Sequence, residues 1–147
     1  MYKVVMPYIG GILTDNGYKF LNKATRPIVT IWKKELAQKV EALDIPEASE
    51  YAVLVHGRFA DERRPDIPNL FKVILDGLKK TKTHKGLNVD DKHIHPRDMG
   101  YELGFLDPEI EISILPLVDI ADAFLAEHKY QRTPSDDRLE VLILGKK

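Results

Sequence analysis

Strand-like and helix-like apolar patterns alternate along this chain, and their order limits the folds that it can adopt. Residues 2–6 and Tyr51–Phe59 are short runs rich in β-branched and aromatic side chains, which is typical of strands. Over 27–43 and 68–80, apolar residues recur every three or four positions, as in amphipathic helices. Because neither pattern dominates, the sequence predicts an α+β domain with two or three helices packed on a mixed sheet.

Four further elements complete the predicted order β-α-β-α-β-β-α-β. They are strands over 90–95, 109–115 and 139–144, and a third helix over 118–129. The length of 147 residues fits a single domain over 1–147. Trp32 falls on the apolar face of the first helix, which favours a core position over base stacking.

Composition excludes several kinds of site. The chain has no cysteine, so it forms neither a disulfide nor a thiolate zinc site. No 18 apolar residues run together, and the N-terminal residues lack the pattern of a signal peptide, so we expect no membrane partner. A cytoplasmic location is compatible with these features and is the one we expect.

Charge is distributed unevenly, although the formal net charge is only −1. Residues 58–97 carry ten Lys and Arg against six Asp and Glu, whereas residues 98–147 carry five against eleven. The basic segment suits a polyanion such as DNA, while the acidic last third suits a protein-interaction surface. The charge pattern alone leaves both hypotheses open.

Polar side chains gather where the strand Tyr51–Phe59 gives way to the second helix. Asp66 precedes this helix, Asn69 and Lys72 project from its polar face, and Asp90-Asp91 follow a basic loop. Carboxylates from two such elements can share a Mg²⁺ ion that polarises a phosphodiester and activates water, with Lys72 beside the developing charge. Alternatively, Asp66 only caps the helix and Lys72 is solvated.

The segment RRPDIPNLFKVILDGL and the downstream GLNVDDKHI together resemble the central signature of the RusA-like crossover-junction endodeoxyribonucleases. The resemblance is strongest over 54–95 and looser over 1–43. It implies a RusA-like fold and a homodimer that binds branched DNA at four-way (Holliday) junctions. It also implies symmetric nicking with Mg²⁺ or Mn²⁺ in DNA recombination and repair. Residues 116–147 would extend beyond a minimal member of the family.

The resemblance also implies roles for individual residues. Asp66, Lys72 and Asp91 take catalytic positions, and Asp66, Asp90 and Asp91 take metal-binding positions. Pro68, however, stands where the family has a second acid, and proline offers no ligand. Three alternatives remain: a nearby acid substitutes, the metal binds weakly, or the protein binds junctions without cutting them. The nearby acids are Asp61, Glu62 and Asp90.

Basic side chains around this segment form the expected DNA-contacting set. Each phosphate that they neutralise should add about −0.9 to the slope of log affinity against log salt. The alternative for the lysines is a solvated loop. Together with the motif's asparagine, the set consists of Arg58, Arg63, Arg64, Asn69, Lys79, Lys80, Lys82 and Lys85.

Two further groups have alternative interpretations. His93 and His95 form a His-x-His pair, a pattern that can bind zinc or copper. No third ligand follows at a recognisable distance, so we expect two exposed strand histidines. Tyr18 and Phe20 lie in a loop that, by the resemblance, would be near DNA or at a dimer interface.

Overall fold

Two helices cover one face of a four-stranded mixed sheet in the computed structural model, which describes residues 1–117. The predicted α+β class is confirmed, and neither helix is long and apolar enough to cross a membrane. In chain order the elements are β1 (Tyr2–Pro7), α1 (Pro27–Ala42), β2 (Tyr51–Phe59), α2 (Phe71–Leu78), β3 (Ile94–Leu103) and β4 (Glu109–Pro116). The helix predicted over 118–129, the strand predicted over 139–144 and nearly all of the extension 116–147 lie outside the described residues.

The sheet has the strand order β1-β4-β2-β3. β2 and β3 are parallel, with Tyr51 opposite Ile94 and Phe59 opposite Leu103, whereas β4 runs antiparallel to β1 and to β2. A parallel pair needs a crossover connection, and α2 supplies it. The chain therefore leaves β2 at one end of this strand pair and enters β3 at the other end.

The core lies between the sheet and the two helices. Val53 of β2 is fully buried there with Leu36 of α1 and Ile74 of α2. A strand directs every second side chain to the same face, so alternate residues of β2 reach this core. Trp32 is 3% exposed, and its Nε1 donates to the carbonyl oxygen of Pro7 at 2.8 Å. The predicted core position of Trp32 is confirmed.

The opposite face of the sheet carries a charged cluster. Arg58 is a residue of β2 whose side chain lies on the face away from the core. Its guanidinium contacts Glu109 and Glu111 of β4. Lys3 Nζ lies 2.8 Å from Glu111 Oε2. These ion pairs occupy Arg58 on the face of the sheet opposite α1 and α2.

The helix predicted over 68–80 differs from the structure at both ends. A 3-10 turn, Ile67–Leu70, comes first, and the α-helical hydrogen-bond pattern begins only at Phe71. Pro68 fits the first turn but has no N–H to donate, which is consistent with a separate turn there. The helix ends at Leu78 because Lys79, with a ψ of 160°, is already extended.

The strand predicted over 90–95 is displaced and longer. A 3-10 turn, Asp91–His93, occupies its first half, and β3 runs from Ile94 to Leu103. Pro96, Gly100 and many exposed polar residues hide this strand in the sequence. Its pairing with β2 along almost its whole length overrides those weak local preferences.

Candidate nucleic-acid interface

An open groove of about 520 Å³ lies between α1 and α2. Its lining combines five lysines with a single carboxylate, that of Asp76. The lysines are Lys19, Lys33, Lys34, Lys72 and Lys79. Threonine hydroxyls and the ring of His84 complete the polar part of the lining. We call this surface the lysine groove; an anion that enters it meets several cations and hydroxyl donors at once.

Three lysines approach the carboxylate of Asp76 from different turns of the two helices. The Nζ atoms of Lys33, Lys72 and Lys79 lie 3.8, 3.9 and 3.4 Å from its oxygens. These separations are longer than those of good hydrogen bonds, so the ammonium groups keep donors for another partner. The Asp76 side chain is only 15% exposed, which reduces the screening of these pairs by solvent. Asp76 thus gathers three cations at one place in the groove.

Asp91 joins this cluster through Lys79. The Nζ of Lys79 lies 3.9 Å from Asp91 Oδ2, in addition to its contact with Asp76. Asp91 begins the turn before β3, at the amino-terminal end of the β2–β3 pair, where α2 also ends. The structure therefore brings two of the predicted catalytic residues, Lys72 and Asp91, into one charged cluster with Asp76. Asp90 directly precedes Asp91 and is exposed.

Asp66 lies at the other end of α2. Its side chain is 79% exposed, and Oδ1 is 3.4 Å from Nη1 of Arg64. The Arg64 guanidinium in turn stacks on the ring of Tyr101, with its central carbon 3.6 Å from the ring centroid. Tyr101 pairs with Gly57 in the second half of β2. Asp66 is thus placed near the carboxyl-terminal end of the β2–β3 pair.

The length of the connection separates Asp66 from Asp91. The 3-10 turn of four residues and the α-helix of eight residues between Asp66 and Lys79 together advance about 20 Å. The structure therefore does not bring the carboxylates of Asp66 and Asp91 together within one chain. Over residues 1–117, no three His, Asp or Glu side chains are already arranged around one position for a metal ion.

The remaining residues of the predicted DNA-contacting set are dispersed. Arg58 lies on the sheet face away from the helices, with Glu109 and Glu111, and so does not line the groove. Arg63 is 90% exposed, and its hydrogen bonds lower the pKa of Asp61 to about 2. The exposed side chains of Asn69, Lys80, Lys82 and Lys85 flank the two ends of α2.

The sequence did not identify the contribution of α1 to the groove. Lys33 and Lys34 fall on the polar face of the predicted helix over 27–43, where nothing in the sequence distinguishes them from solvated lysines. Tyr18, considered there for stacking, lines the groove but is 8% exposed, whereas Phe20 is 43% exposed. A polar helix face gives no local sign of the partner that it meets, so only the packing of α1 on α2 reveals the groove.

No family model matches the chain, and no curated protein matches it either.

Proposed function

We propose that this protein binds branched DNA through the lysine groove, as a junction-binding protein of the RusA-like kind. The observation that carries the proposal is the convergence of Lys33, Lys72 and Lys79 in an open groove between two helices. Contacts between ammonium groups and phosphates carry no sequence information, so such a groove would recognise the backbone and its shape rather than a sequence. Backbones of adjacent arms approach one another at a four-way junction, which favours a cluster of cations over an isolated one.

Fluorescence anisotropy with a labelled four-way junction and a linear duplex of equal length tests this proposal. We expect tighter binding to the junction, with an affinity that falls as salt rises. The double variant Lys33→Gln/Lys72→Gln should bind more weakly, and its log–log salt slope should be shallower by about 0.9 for each phosphate that it no longer neutralises.

Lys39→Gln is the matched control, because Lys39 is also on α1 but its Nζ donates to the carbonyl oxygen of Val5. It should bind the junction as the wild type does. No binding of either DNA at low salt would contradict the proposal and would favour the acidic last third as a protein-interaction surface. Equal binding by wild type and the double variant would also contradict it.

Metal-dependent nicking of the junction is the second candidate function. The position of Lys79 favours nicking, because its ammonium lies between the carboxylates of Asp76 and Asp91. A Mg²⁺ or Mn²⁺ ion takes carboxylate oxygens together with water and phosphate, and could replace the ammonium there. Such an ion would polarise a phosphodiester, and Lys72 would stabilise the charge that develops on it.

A nicking assay on the junction with Mg²⁺ or Mn²⁺ tests this candidate. If nicking occurs, Asp91→Asn should abolish it while binding is retained, and Asp66→Asn shows whether the distant acid also takes part. Pro68→Asp restores the acid that the resemblance predicts at this position, next to Asp66 and at the other end of α2 from Asp91. Cleavage gained by this variant would therefore place the metal at the Asp66 end. A large gain in cleavage would identify Pro68 as the defect, whereas a wild type and a Pro68→Asp variant that bind but never nick would leave binding alone as the function.

A homodimer remains part of the proposal. Two nicks placed symmetrically across a junction require two sites, and a two-fold dimer supplies them. Light scattering should give the mass of two chains for the protein alone and of two chains plus one junction for the complex, and a monomer in both states would contradict this.

A further inference from the structure

Glu50, His93 and His95 lie side by side where the paired strands β2 and β3 begin. Glu50 directly precedes β2, and His95 is the second residue of β3. Tyr51 pairs with Ile94, and both are buried in the core beneath the helices. The residues on either side of them therefore direct their side chains to the opposite face of the sheet.

The carboxylate of Glu50 links the two histidines. His93 Nδ1 lies 2.8 Å from Glu50 Oε2, and His95 Nε2 lies 2.6 Å from Oε1. An ionised carboxylate only accepts hydrogen bonds, so each ring nitrogen donates to it. The side chains of His93, His95 and Glu50 are 37, 44 and 36% exposed, so a solute can reach all three.

We propose that Glu50, His93 and His95 form a binding site for a zinc ion. Two imidazoles and one carboxylate are a ligand set that zinc accepts, and three protein ligands leave a fourth position for water. The third ligand that the His-x-His pattern lacks in the sequence is Glu50, which reaches the histidines through the parallel pairing of β2 with β3.

A rearrangement of the three side chains separates the hydrogen-bonded cluster from a metal site. Ligands 2.0–2.2 Å from a tetrahedral zinc ion are about 3.3 Å apart. The present nitrogen–oxygen distances are 2.8 and 2.6 Å, because the carboxylate itself occupies the centre. Binding of the ion therefore requires the carboxylate to rotate out from between the two imidazoles, so that both ring nitrogens and one carboxylate oxygen can face the ion.

The backbone beneath the cluster is fixed. The amide of Leu117 donates to the carbonyl oxygen of Glu50 at 3.0 Å, and the amide of His93 donates to that of Asp90 at 3.0 Å. Ligands on such a platform lose little backbone freedom when they bind an ion, which favours affinity. The cluster also differs in chemistry from the Asp90–Asp91 pair, because imidazole nitrogen suits zinc whereas Mg²⁺ prefers oxygen ligands.

Isothermal titration with Zn²⁺ after removal of bound metals by a chelator tests the site. We expect one ion per chain, retained in excess Mg²⁺. Co²⁺ should give the visible absorption bands of a site with nitrogen ligands. His95→Ala and Glu50→Gln should each weaken Zn²⁺ binding at least about tenfold, since even the outer partners of metal ligands contribute that much.

His56→Ala is the matched control, because His56 Nε2 contacts Glu102 at 3.0 Å as a single histidine–glutamate pair. It should leave Zn²⁺ affinity unchanged. Circular dichroism checks that the variants fold. If His95→Ala does not fold, Glu50→Gln, which keeps the size of the side chain, decides the result. Absence of saturable Zn²⁺ binding, unchanged affinity in Glu50→Gln, or an equal loss in His56→Ala would overturn the proposal.

Discussion

At Gly77, helix α2 approaches α1 so closely that a Cβ atom there would lie 2.9 Å from Cδ2 of Leu36. The carbonyl oxygen of Lys33 would be 3.2 Å from the same atom. Leu36 is fully buried, so its side chain has little space into which it can move. The absence of a side chain at Gly77 therefore sets the separation of the two helices, and with it the width of the lysine groove.

Gly77→Ala should destabilise the protein. Alanine is the better helix former by about 0.5–1 kcal/mol, but overpacking a well-filled core typically costs about 1–3 kcal/mol. We expect a net decrease of about 1 kcal/mol in the free energy of unfolding, measured by urea denaturation. Gly11→Ala is the control, because a Cβ at Gly11 meets nothing within 4 Å. A midpoint for Gly77→Ala at or above the wild-type value would show that Leu36 can move aside.

Asp76→Asn should strengthen the binding of a polyanion. The substitution removes the carboxylate that Lys33, Lys72 and Lys79 share, so one more positive charge is available to phosphate. We expect tighter binding to junction and duplex DNA and a log–log salt slope steeper by up to about 0.9. Glu47→Gln, an exposed acid outside the groove, should have a much smaller effect. Weaker binding by Asp76→Asn would show instead that Asp76 is needed to position the lysines.

Glu111 should make the protein sensitive to acid. Lys3, and then Arg58, hold the pKa of Glu111 below its ordinary value of 4.5, against the opposing effect of burial. A depressed pKa in the folded state contributes stability above about pH 4.5, and this contribution disappears as the pH falls through the lowered value. Glu111→Gln should therefore lower the free energy of unfolding at pH 7 by roughly 1–2 kcal/mol.

Urea denaturation of wild type and Glu111→Gln between pH 7 and pH 3 measures this difference, which should shrink below about pH 4.5. Glu109→Gln is the comparison, because Glu109 also contacts Arg58 but its side chain is 37% exposed against 14% for Glu111. A difference that stays constant over this range would mean that the charge of Glu111 contributes nothing to stability.

Trp32→Phe should loosen the attachment of α1 to β1. The substitution removes the donor to the Pro7 carbonyl and leaves a small cavity in the core. We expect a decrease of about 1–3 kcal/mol in the free energy of unfolding. Trp32 is the single tryptophan, so circular dichroism rather than fluorescence must follow the denaturation. An unchanged urea midpoint would indicate that the hydrogen bond contributes nothing.

The local sequence pattern was sufficient to predict the elements that bury side chains along most of their length. The spacing of apolar residues identified α1 and placed Trp32 in the core, and the density of strand-formers identified β2. β3 was found only at its first residues, because an exposed outer strand has no such face and depends on its partner for its conformation. Pro68 indicated a helix start but not that the first turn would be 3-10.

The sites were harder to predict from the sequence, because the sheet topology brings together residues that are far apart in the chain. Glu50 and His93 are 43 residues apart, and only the parallel pairing of β2 with β3 makes them neighbours. The same pairing places Asp66, which follows β2, far from Asp91, which precedes β3. Because a parallel crossover enters its second strand at the end opposite to the one where it left the first, β2, α2 and β3 as one such unit imply this separation.

The position of β4 between β1 and β2 affects how the chain reaches its fold during synthesis. β1 emerges from the ribosome before β4, its strand partner, which follows about 100 residues later, since Tyr2 pairs with Ile114. At roughly 5–20 residues per second, that delay is about 5–20 s. During this delay, Val4 and Met6 lack β4, the strand beside which they are buried in the folded protein. A nascent chain that stalls before β4 therefore exposes an unpaired apolar strand to chaperones and to other nascent chains.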